Sequence, residues 1–586
     1  MRFSSIFKQK TRLIAASPVA CLALALSLGA QQPPVDTIYY NGHIVTMWDG
    51  HPTAEAIDIR GNRFLAVGTL AEVRNAASPS ARQIDLHGRT VLPGLEDSHT
   101  HPITAALSEQ DGPIPVMKSI ADIQAWMRKQ AATTPVSGLI FLPKVYSTRL
   151  ADRRYPTRQE LDQASSDRAA MTDNGYSAVL NSAALHRVGI TRDTPQPANG
   201  KIGKDANGEP NGLIIGAPQL LESLRHAKPH THDDMVWALK AMQKAYNAVG
   251  ITSTIDRAEG PDGFRVYQEL RAKNELTVRT FVTDLITGQG TPDQVRKEIE
   301  AIPFVTGMGD DWYRVGSLKV IADGGILLGT AYLREPYGEH TEIYGYHDPA
   351  YRGVLSVPRE NLIEMAKTAD RLGWQMTAHV TGGGSLDALL DAYEAANREK
   401  SIKDRRFTVT HGNFPNPQAI ARARQLGVVF DCQPAWLYAD GAAIKDVFGP
   451  ARMKDFLPLR SLFDQGVVVA GGSDHMIRFD SRNAINPYNP FLGMWVAITR
   501  KTTDGTVLGP DQTITREQAL RMWTLNGAYL SFEEKEKGSI EPGKLADLVV
   551  ISKDILHCPV DEIKDIEALL TVADGRVVYR DKTMPE

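Results

Sequence analysis

The stretch TVLPGLEDSHTHP, residues 90–102, joins an apolar run to two histidines spaced two residues apart. Successive side chains of a β-strand alternate between its faces, so His99 and His101 would point the same way. Two imidazoles on one face suit two ligands of a single metal ion. A His-x-His pair alone is weak support, because so short a motif recurs by chance. The stretch therefore predicts a buried strand with two candidate ligands at its end, and other segments must supply the remaining ligands.

Eight apolar stretches of strand length recur along the chain, and helical patterns lie between them. The predicted strands are residues 90–101, 250–257, 276–282, 315–324, 374–380, 406–412, 427–433 and 466–474. Near-continuous apolar runs are typical of parallel strands that are buried on both faces. Stretches such as ENLIEMAKTADRLG, residues 360–373, instead repeat apolar residues at the spacing of an amphipathic helix. This alternation predicts an α/β fold, a (β/α)8 TIM-type barrel.

The two ends of the chain differ from the middle in amino-acid composition. They are rich in β-branched residues and punctuated by Gly and Asn, which predicts short strands and hairpins. We therefore expect a small β-sandwich built from residues 36–92 together with 525–586, and a barrel over residues 93–524. Residues 103–249 form a large insertion after the first barrel strand. An insertion of that length needs structure of its own, and its position predicts a lid over the barrel mouth.

The first thirty residues have the pattern of a targeting segment. Arg2, Lys8, Lys10 and Arg12 precede an apolar stretch at residues 13–30 that ends in small residues. This pattern predicts a signal peptide over residues 1–30 and export to a periplasm or out of the cell. The alternative is an uncleaved membrane anchor formed by the same apolar stretch.

Composition narrows the class of protein. The chain has 586 residues, 42% of them hydrophobic and 23% charged, with a net charge of −4. No basic block or stripe supports nucleic-acid binding, and no other segment predicts a membrane contact. Three cysteines are too few for a disulfide scaffold or a cysteine-rich zinc site. The composition is that of an ordinary soluble globular protein. A small-molecule substrate is expected as the partner only from the family resemblance described below, and a homo-oligomer is left open.

Chemically useful side chains follow several of the predicted strands. Lys319 lies in the fourth strand, and His379, His411 and Asp474 close the fifth, sixth and eighth. Each residue alone is explained as a polar group at a strand end. In a barrel, however, the carboxyl ends of all strands meet at one mouth. The set therefore predicts a shared site there.

At this point the sequence resembles the amidohydrolase superfamily, in particular the family 3 branch that contains N-substituted formamide deformylase-like proteins. The motifs that carry this resemblance are LPGLEDSHTHP (92–102), SLKVIADGG (317–325), TAHVTGGGSLDALLDAYE (377–394), THGNF (410–414) and GGSDHMI (471–477). The resemblance covers nearly everything after the signal segment. Its motifs are specific in both content and order.

The resemblance implies a metal site with divided roles. His99 and His101 would bind one divalent metal, zinc above all, with Asp474 beside it. His379 and His411 would bind a second. Histidine and carboxylate ligands accept several metals, so the metal's identity is left open.

Lys319 matches the position that carries a carbamate bridging both metals in binuclear relatives. An ammonium group cannot ligate a metal, whereas a carbamate is an anionic oxygen donor. Forming the carbamate requires a neutral amine and hence a depressed pKa at Lys319. The alternative is that Lys319 remains an amine and a single metal binds.

The resemblance also implies a reaction. A metal-bound hydroxide would cleave a non-peptide C–N bond of an amide, a formamide or another N-acyl compound, and Asp474 would carry the proton to the leaving group. The same site could instead hydrolyse a lactone, a carbamate or a phosphoester. A non-catalytic binding protein is a third alternative, which the complete ligand set disfavours.

One position departs from the family. Many relatives carry a histidine where this sequence has Tyr176. The change predicts either a different substrate or a phenol acting as a donor to it. Other candidate substrate contacts are Asp256 and Arg257 after the second strand and Trp436 after the seventh.

Overall fold

The structure is a computed structural model that describes residues 36–110, 112–197, 200–224, 229–338, 340–345 and 348–584. The predicted signal peptide, residues 1–30, and the alternative anchor, residues 13–30, lie outside the described residues. Within the described part of the chain, no helix combines the length and the apolar character needed to cross a bilayer.

Eight parallel strands, named β1 to β8 here, form the central sheet. They are β1 (Leu95–Thr100), β2 (Ile251–Glu259), β3 (Arg279–Leu285), β4 (Tyr313–Ile321), β5 (Met376–Val380), β6 (Thr408–His411), β7 (Val429–Cys432) and β8 (Val469–Gly471). Each strand pairs with the next in sequence order. The sheet then closes on itself, because the N–H of Asp474 donates to the carbonyl of His99 over 2.8 Å, just beyond β8. The predicted eight-stranded parallel barrel is confirmed.

Helices fill the connections between these strands and bury their apolar faces against the sheet. The helices around the barrel are Pro102–Leu107, His232–Asn247, Pro261–Ala272, Pro292–Glu300, Arg359–Leu372, Gly383–Glu399, Pro417–Leu426, Ala435–Met453, Leu459–Asp464, Pro490–Thr499, Arg516–Met522 and Leu525–Leu530. The predicted helical stretch 360–373 corresponds to Arg359–Leu372, which ends at Gly373 with a φ of 90°. Glycine adopts this left-handed conformation without steric penalty and so terminates the helix.

The predicted first strand, residues 90–101, is wrong as a single element. The chain breaks at Gly94 into Thr90–Pro93, which belongs to another sheet, and β1. A side chain at Gly94 would collide with Thr252 and Asp547, so the two sheets pack closely there. Hydrophobicity runs unbroken through this stretch because both halves are buried, and it could not reveal the change of sheet.

The two ends of the chain meet in one mixed sheet below the barrel. Its strands are Thr37–Val45, Thr53–Arg60, Arg63–Gly68, Arg82–Asp85, Thr90–Pro93, Leu548–Ile551, Ala568–Ala573 and Arg576–Arg580. A short helix, Leu70–Ala76, packs beside them. The antiparallel pairing of Thr90–Pro93 with Leu548–Ile551 joins the amino-terminal part to the carboxyl-terminal part. The prediction that this region forms a two-layered sandwich stays a prediction.

The long insertion after β1 has a sheet of its own. Its strands, in spatial order, are Lys201–Lys204, Pro210–Ile215, Ser177–Leu180, Ala169–Asp173 and Leu139–Pro143. Helices Ile120–Ala131, Arg158–Ala164 and Ser182–Arg187 accompany it. The insertion contacts the barrel through Arg149, whose guanidinium donates to the Asp440 carboxylate over 2.7 Å. This contact fixes the insertion against the helix that follows β7.

Candidate metal centre

The carboxyl ends of the barrel strands bring the predicted ligands together. The residues gathered there are His99, His101, Lys319, His379, His411 and Asp474. The ring of His411 lies 4.9 Å from that of His99 and 4.5 Å from that of His379, measured between centroids. Five different strands thus deliver four imidazoles, one amine and one carboxylate to one cluster.

The tightest part of the cluster is His99, His101 and Asp474. Oδ1 of Asp474 lies 3.2 Å from Nε2 of His99 and 3.3 Å from Nε2 of His101. Two ligands that each sit about 2.0–2.1 Å from a tetrahedral ion are separated by about 3.3 Å. All three ligand atoms lie within 4.8 Å of one another, as ligands of one ion must.

The orientation of the His99 ring decides what its Nε2 can do. Nδ1 of His99 lies 3.1 Å from Oδ2 of Asp431. A carboxylate can only accept, so Nδ1 carries the hydrogen and Nε2 carries a lone pair. That lone pair faces the Asp474 carboxylate, which also only accepts. Either a proton on Nε2 or a metal ion between the two groups removes the repulsion between them, so the arrangement can accept a metal ion in place of that proton.

The remaining histidines are oriented by partners of the same kind. Nδ1 of His411 lies 2.7 Å from the amide oxygen of Gln433, which leaves Nε2 directed elsewhere. Nδ1 of His379 lies 3.3 Å from Oδ1 of Asp323. Asp323 is itself fixed by the backbone N–H groups of Thr381 and Gly382, at 2.9 and 2.8 Å. Such supporting partners hold metal-ligating imidazoles in one tautomer and one orientation.

These supporting residues were not predicted as part of the site. Asp431 and Gln433 alternate at the end of β7, so their side chains share a face. That spacing is the one signal the sequence offered. Their partners on other strands become visible only in the closed barrel. Asp323 lies two residues after β4, and the backbone groups that bind its carboxylate belong to the segment after β5.

Lys319 is buried at the centre with only 3% of its surface exposed. Its Nζ lies 3.5 Å from Nε2 of His99. Burial lowers the pKa of the Lys319 amine to about 8, and the charge of Arg257 acts in the same direction. A larger fraction of this lysine is therefore neutral at physiological pH than of an ordinary lysine.

The protonation states of the histidines and of Asp474 are also those that metal binding requires. Burial lowers the pKa of His101 to about 4, so this imidazole is neutral at pH 7. Burial likewise places the pKa of His411 well below its usual value. Burial alone would raise the pKa of Asp474, but the neighbouring His99 and His101 hold it well below the ordinary carboxyl value. Neutral imidazoles and an ionised carboxylate are the forms that bind metals.

Two residues of the centre have strained backbones. His411 has a φ of 73° and Asp474 a φ of 57°, in the left-handed region that non-glycine residues seldom occupy. The amide of Asn486 donates to the Asp474 carbonyl and carboxylate over 2.7 and 3.0 Å and holds that conformation. Strain of this kind is concentrated at functional sites, where the surrounding structure maintains it.

The predicted substrate contacts fall into two groups. Trp436 stacks on His411 with ring centroids 4.6 Å apart, and Tyr176 is half-buried on the insertion. Burial raises the pKa of the Tyr176 phenol, and the charges of Asp323 and Asp474 raise it further. Trp436 thus lies against a predicted metal ligand, and the role of both residues as substrate contacts stays a prediction.

Asp256 and Arg257 lie beneath the cluster instead. Both are fully buried. The guanidinium of Arg257 lies 3.1 Å from Asp431 and donates to the carbonyl of Ser98 over 3.0 Å. The Asp256 carboxylate accepts from the phenol of Tyr267 over 2.9 Å. Arg257 thus contacts Asp431, which orients His99, and Asp256 contacts Tyr267 in the helix that follows β2. Both contacts are internal to the protein.

Enzymes with a (β/α)8 barrel have their active sites at the carboxyl ends of the strands, where this protein gathers its imidazoles, amine and carboxylate. Residues 82–579 match the amidohydrolase family, and the chain belongs to that family. It is accordingly an enzyme of the amidohydrolase class, which hydrolyses carbon–nitrogen bonds other than peptide bonds. The resemblance predicted from the motifs is confirmed.

Relatives of similar length support this assignment. The chain is 28% identical to the N-substituted formamide deformylase of Arthrobacter pascens, over 93% of this chain and 98% of that protein. It is 27% identical to Protein LONG AFTER FAR-RED 3 of Arabidopsis thaliana, over 93% of this chain and 91% of that protein. The fold is similar to the crystal structure of an uncharacterized metal-dependent hydrolase from Pyrococcus horikoshii OT3, with a TM-score of 0.66 and 22% identity over 90% of this chain and 99% of that chain.

Proposed function

We propose that this protein hydrolyses a non-peptide C–N bond with a divalent metal bound at the barrel mouth. The observation that carries the proposal is the approach of two imidazole nitrogens to one oxygen of Asp474, at 3.2 and 3.3 Å. A divalent ion seated among these three atoms would take the place of the protons that otherwise join the imidazoles to the carboxylate. The support that Asp431 gives to His99 strengthens the proposal, because it fixes the lone pair toward the shared position.

His99, His101 and Asp474 would hold the first ion, and His379 and His411 a second. The chemistry that zinc supplies at such a site is a Lewis acid that lowers the pKa of water toward about 7 and polarises a carbonyl. The donor set of neutral nitrogens and carboxylate oxygen suits zinc, although other divalent metals bind the same set.

Lys319 would connect the two ions as a carbamate. Its burial and its lowered pKa favour the neutral amine that carbon dioxide requires. Its Nζ lies 3.5 Å from Nε2 of His99, one of the predicted ligands of the first ion. If Lys319 remains an amine instead, one ion at the His99 and His101 side suffices for the reaction.

Asp474 would move the proton. Its carboxylate stays ionised, because the neighbouring imidazoles hold its pKa well below the usual value. In the proposed reaction it accepts a proton from the attacking water and donates it to the leaving nitrogen, so that an amide and water give an acid and an amine. Asn486 keeps the carboxylate directed at the cluster.

The relative that deformylates N-substituted formamides makes a formamide or another N-acyl compound the first substrate class to examine. Trp436 would form an apolar wall beside His411, and Tyr176 would approach the substrate from the insertion. We further propose that residues 103–249 act as the lid and that the mature chain is exported after loss of residues 1–30.

The test is a hydrolysis panel run on metal-free and metal-reconstituted protein. The panel contains N-formyl, N-acyl, carbamate, lactone and phosphoester compounds. We expect N-formyl or N-acyl turnover that disappears with a chelator and returns with zinc. Asp474→Asn, purified in the same way, controls for contaminating hydrolases.

Two outcomes would overturn the proposal. Fully metallated protein that cleaves lactones, carbamates or phosphoesters but no amide would move the activity to the alternative bond class. Folded protein that takes up no zinc, iron or manganese would favour a binding protein that retains the barrel.

A further inference from the structure

A cavity of about 460 Å³ lies between the insertion and the loop that follows Asp474. Its walls come from the segments 115–118 and 144–150 of the insertion and from 478–485, the loop that follows Asp474. Four cationic residues line it, namely Lys118, Lys144, Arg149 and Arg478. Among the residues that the structure describes, no aspartate or glutamate lines it. The size is that of a small-molecule pocket.

The cavity is close to the reacting groups. Ile485 lines it, and the next residue, Asn486, donates to the Asp474 carboxylate. The cavity wall is thus one residue from a side chain that contacts the predicted proton carrier, Asp474.

The charges of Arg149 and Arg478 are not equally available. Arg149 pairs with the Asp440 carboxylate through two nitrogens, at 3.0 and 2.7 Å. Arg478 donates only to the carbonyls of Ile114 and Asn483, at 2.7 and 3.2 Å. A guanidinium has five N–H donors, so three remain after these two bonds. In the described part of the chain, no carboxylate lies within ion-pair distance of Arg478, and Glu109 and Asp480 act on it at longer range.

The backbone at Arg478 supports a functional role. Its φ is 77°, in the left-handed region, four residues after the equally left-handed Asp474. The side chain is half-buried, and burial lowers the pKa of its guanidinium. A partly desolvated cation without a carboxylate partner gains most from an anionic ligand.

The rest of the cavity wall is largely apolar. Val116 is 64% exposed at its edge, and Val145, Leu150 and Ile485 contribute further apolar surface. An exposed valine beside a cationic wall fits a ligand with both an apolar and an anionic part.

We infer that the substrate carries a carboxylate on the part remote from the cleaved bond, and that Arg478 binds this carboxylate. The inference rests on the proposed function, since it assigns a substrate class to the same site. Lys118 and Lys144 would add to the attraction at longer range. A planar carboxylate matches the donors that the guanidinium has left.

The experiment compares matched substrates. N-formyl-leucine is paired with N-formyl-leucinol, and N-formyl-γ-aminobutyrate with its amino-alcohol counterpart, so that each pair differs in the carboxylate alone. We expect wild-type kcat/KM to favour the acids by about 10-fold to 100-fold, the size of a charge-assisted hydrogen bond. In Arg478→Gln that ratio should fall close to one, and Arg478→Lys should retain part of it. Arg482→Gln, on the same loop but paired with Asp565, is the matched control and should keep the wild-type ratio.

A binding measurement separates this inference from the proposed function. Calorimetry with hexanoate and hexanol on the wild type needs no turnover, and we expect hexanoate to bind at least about 10-fold more tightly. Turnover of acids and alcohols at equal rates, or equal binding of hexanoate and hexanol, would overturn the inference and leave the hydrolase assignment intact. Hexanoate binding that depends on Arg478, without hydrolysis of any formamide, would support the anion site and count against the proposed function.

Discussion

Two buried lysines, at opposite ends of the barrel, have opposite electrostatic surroundings. Lys319 and Lys537 are each 3% exposed. Nζ of Lys537 lies 2.6 Å from Glu96 and 3.3 Å from Glu533. Burial would lower the pKa of Lys537, but these two carboxylates raise it above the ordinary value. Lys319 has His99 as its close polar neighbour, and burial lowers its pKa to about 8.

The difference separates structural charges from functional ones. Near the amino ends of the strands, buried charges are neutralised within the chain, as Arg279 is by Asp547 and Asp574 at 2.7 and 2.9 Å. At the carboxyl ends, His99, His101 and Asp474 lie within ligand distance of one position. Lys537 thus has carboxylate partners within the chain, whereas Lys319 lies among groups that could bind a metal ion.

The largest effect is expected at Asp474. Asp474→Asn keeps the shape but removes the proton acceptor, and kcat should fall by about 10³-fold or more. Metal content should largely survive, because His99 and His101 remain, and this can be measured by elemental analysis. A variant that retains near wild-type kcat would remove Asp474 from the role of proton carrier.

Lys537→Met should mainly change stability. The variant leaves Glu96 buried without its partner, and the free energy of unfolding should fall by about 3–5 kcal/mol. Burial already raises the pKa of Glu96 to about 7, and loss of the lysine raises it further. A carboxyl whose folded pKa exceeds its unfolded pKa loses stability with rising pH until its folded pKa is reached; the wild type reaches that point near pH 7 and the variant later, so the deficit should grow between about pH 7 and 9. Urea titrations across this range check it, and a deficit that shrinks with rising pH would contradict this account of the pair.

Lys319→Met is the counterpart at the mouth. Methionine fills a similar volume without a charge, so the free energy of unfolding should change little or rise, because a buried amine without a carboxylate partner is lost. Activity should fall by about 100-fold or more, with a reduced metal content, if a lysine-derived oxygen holds the ions. Unfolding curves and metal analysis on the same preparation test both parts. If Lys319→Met were severely destabilised but kept its activity per folded molecule, Lys319 would be a structural residue, and the proposed difference from Lys537 would be wrong.

The smallest effect is expected at a half-buried ion pair in the insertion, Arg154 with Glu160. Arg154 and the helix cap at Thr157 lower the pKa of Glu160 to about 2. Glu160→Gln should cost about 0.5–1 kcal/mol at pH 7, because solvent screens the pair. A carboxyl with a depressed pKa contributes stability above its unfolded pKa and loses it as pH falls through the folded value. The difference between wild type and variant should therefore vanish between about pH 4.5 and 2 in denaturant titrations, and a constant difference would exclude the charge as its source.

Much of the barrel could be predicted from the sequence because its signals are local. Apolar runs indicate the strands. A histidine at the end of such a run, such as His379 or His411, can be assigned to the barrel mouth from that run alone. The break at Gly94 could not be predicted in this way, because its cause is the packing of Thr252 and Asp547 from distant segments.

The residues that orient the histidines could not be predicted either, because their partners are also distant in sequence. Asp431 acts on His99 across 332 positions of the chain, and no local pattern marks that pairing. Arg257 lies within β2 and not after it as predicted, and its buried guanidinium contacts Asp431. The direction of a side chain at a strand end depends on its partners, which only the closed barrel brings near.

The central claim is that the mouth of the barrel holds a divalent metal between His99, His101 and Asp474. Crystals of the zinc-loaded protein, measured on both sides of the zinc absorption edge, test it most directly. The account predicts an anomalous peak about 2.0–2.2 Å from Nε2 of His99, Nε2 of His101 and a carboxylate oxygen of Asp474. A well-ordered structure with these three side chains in place and no anomalous density between them would contradict it.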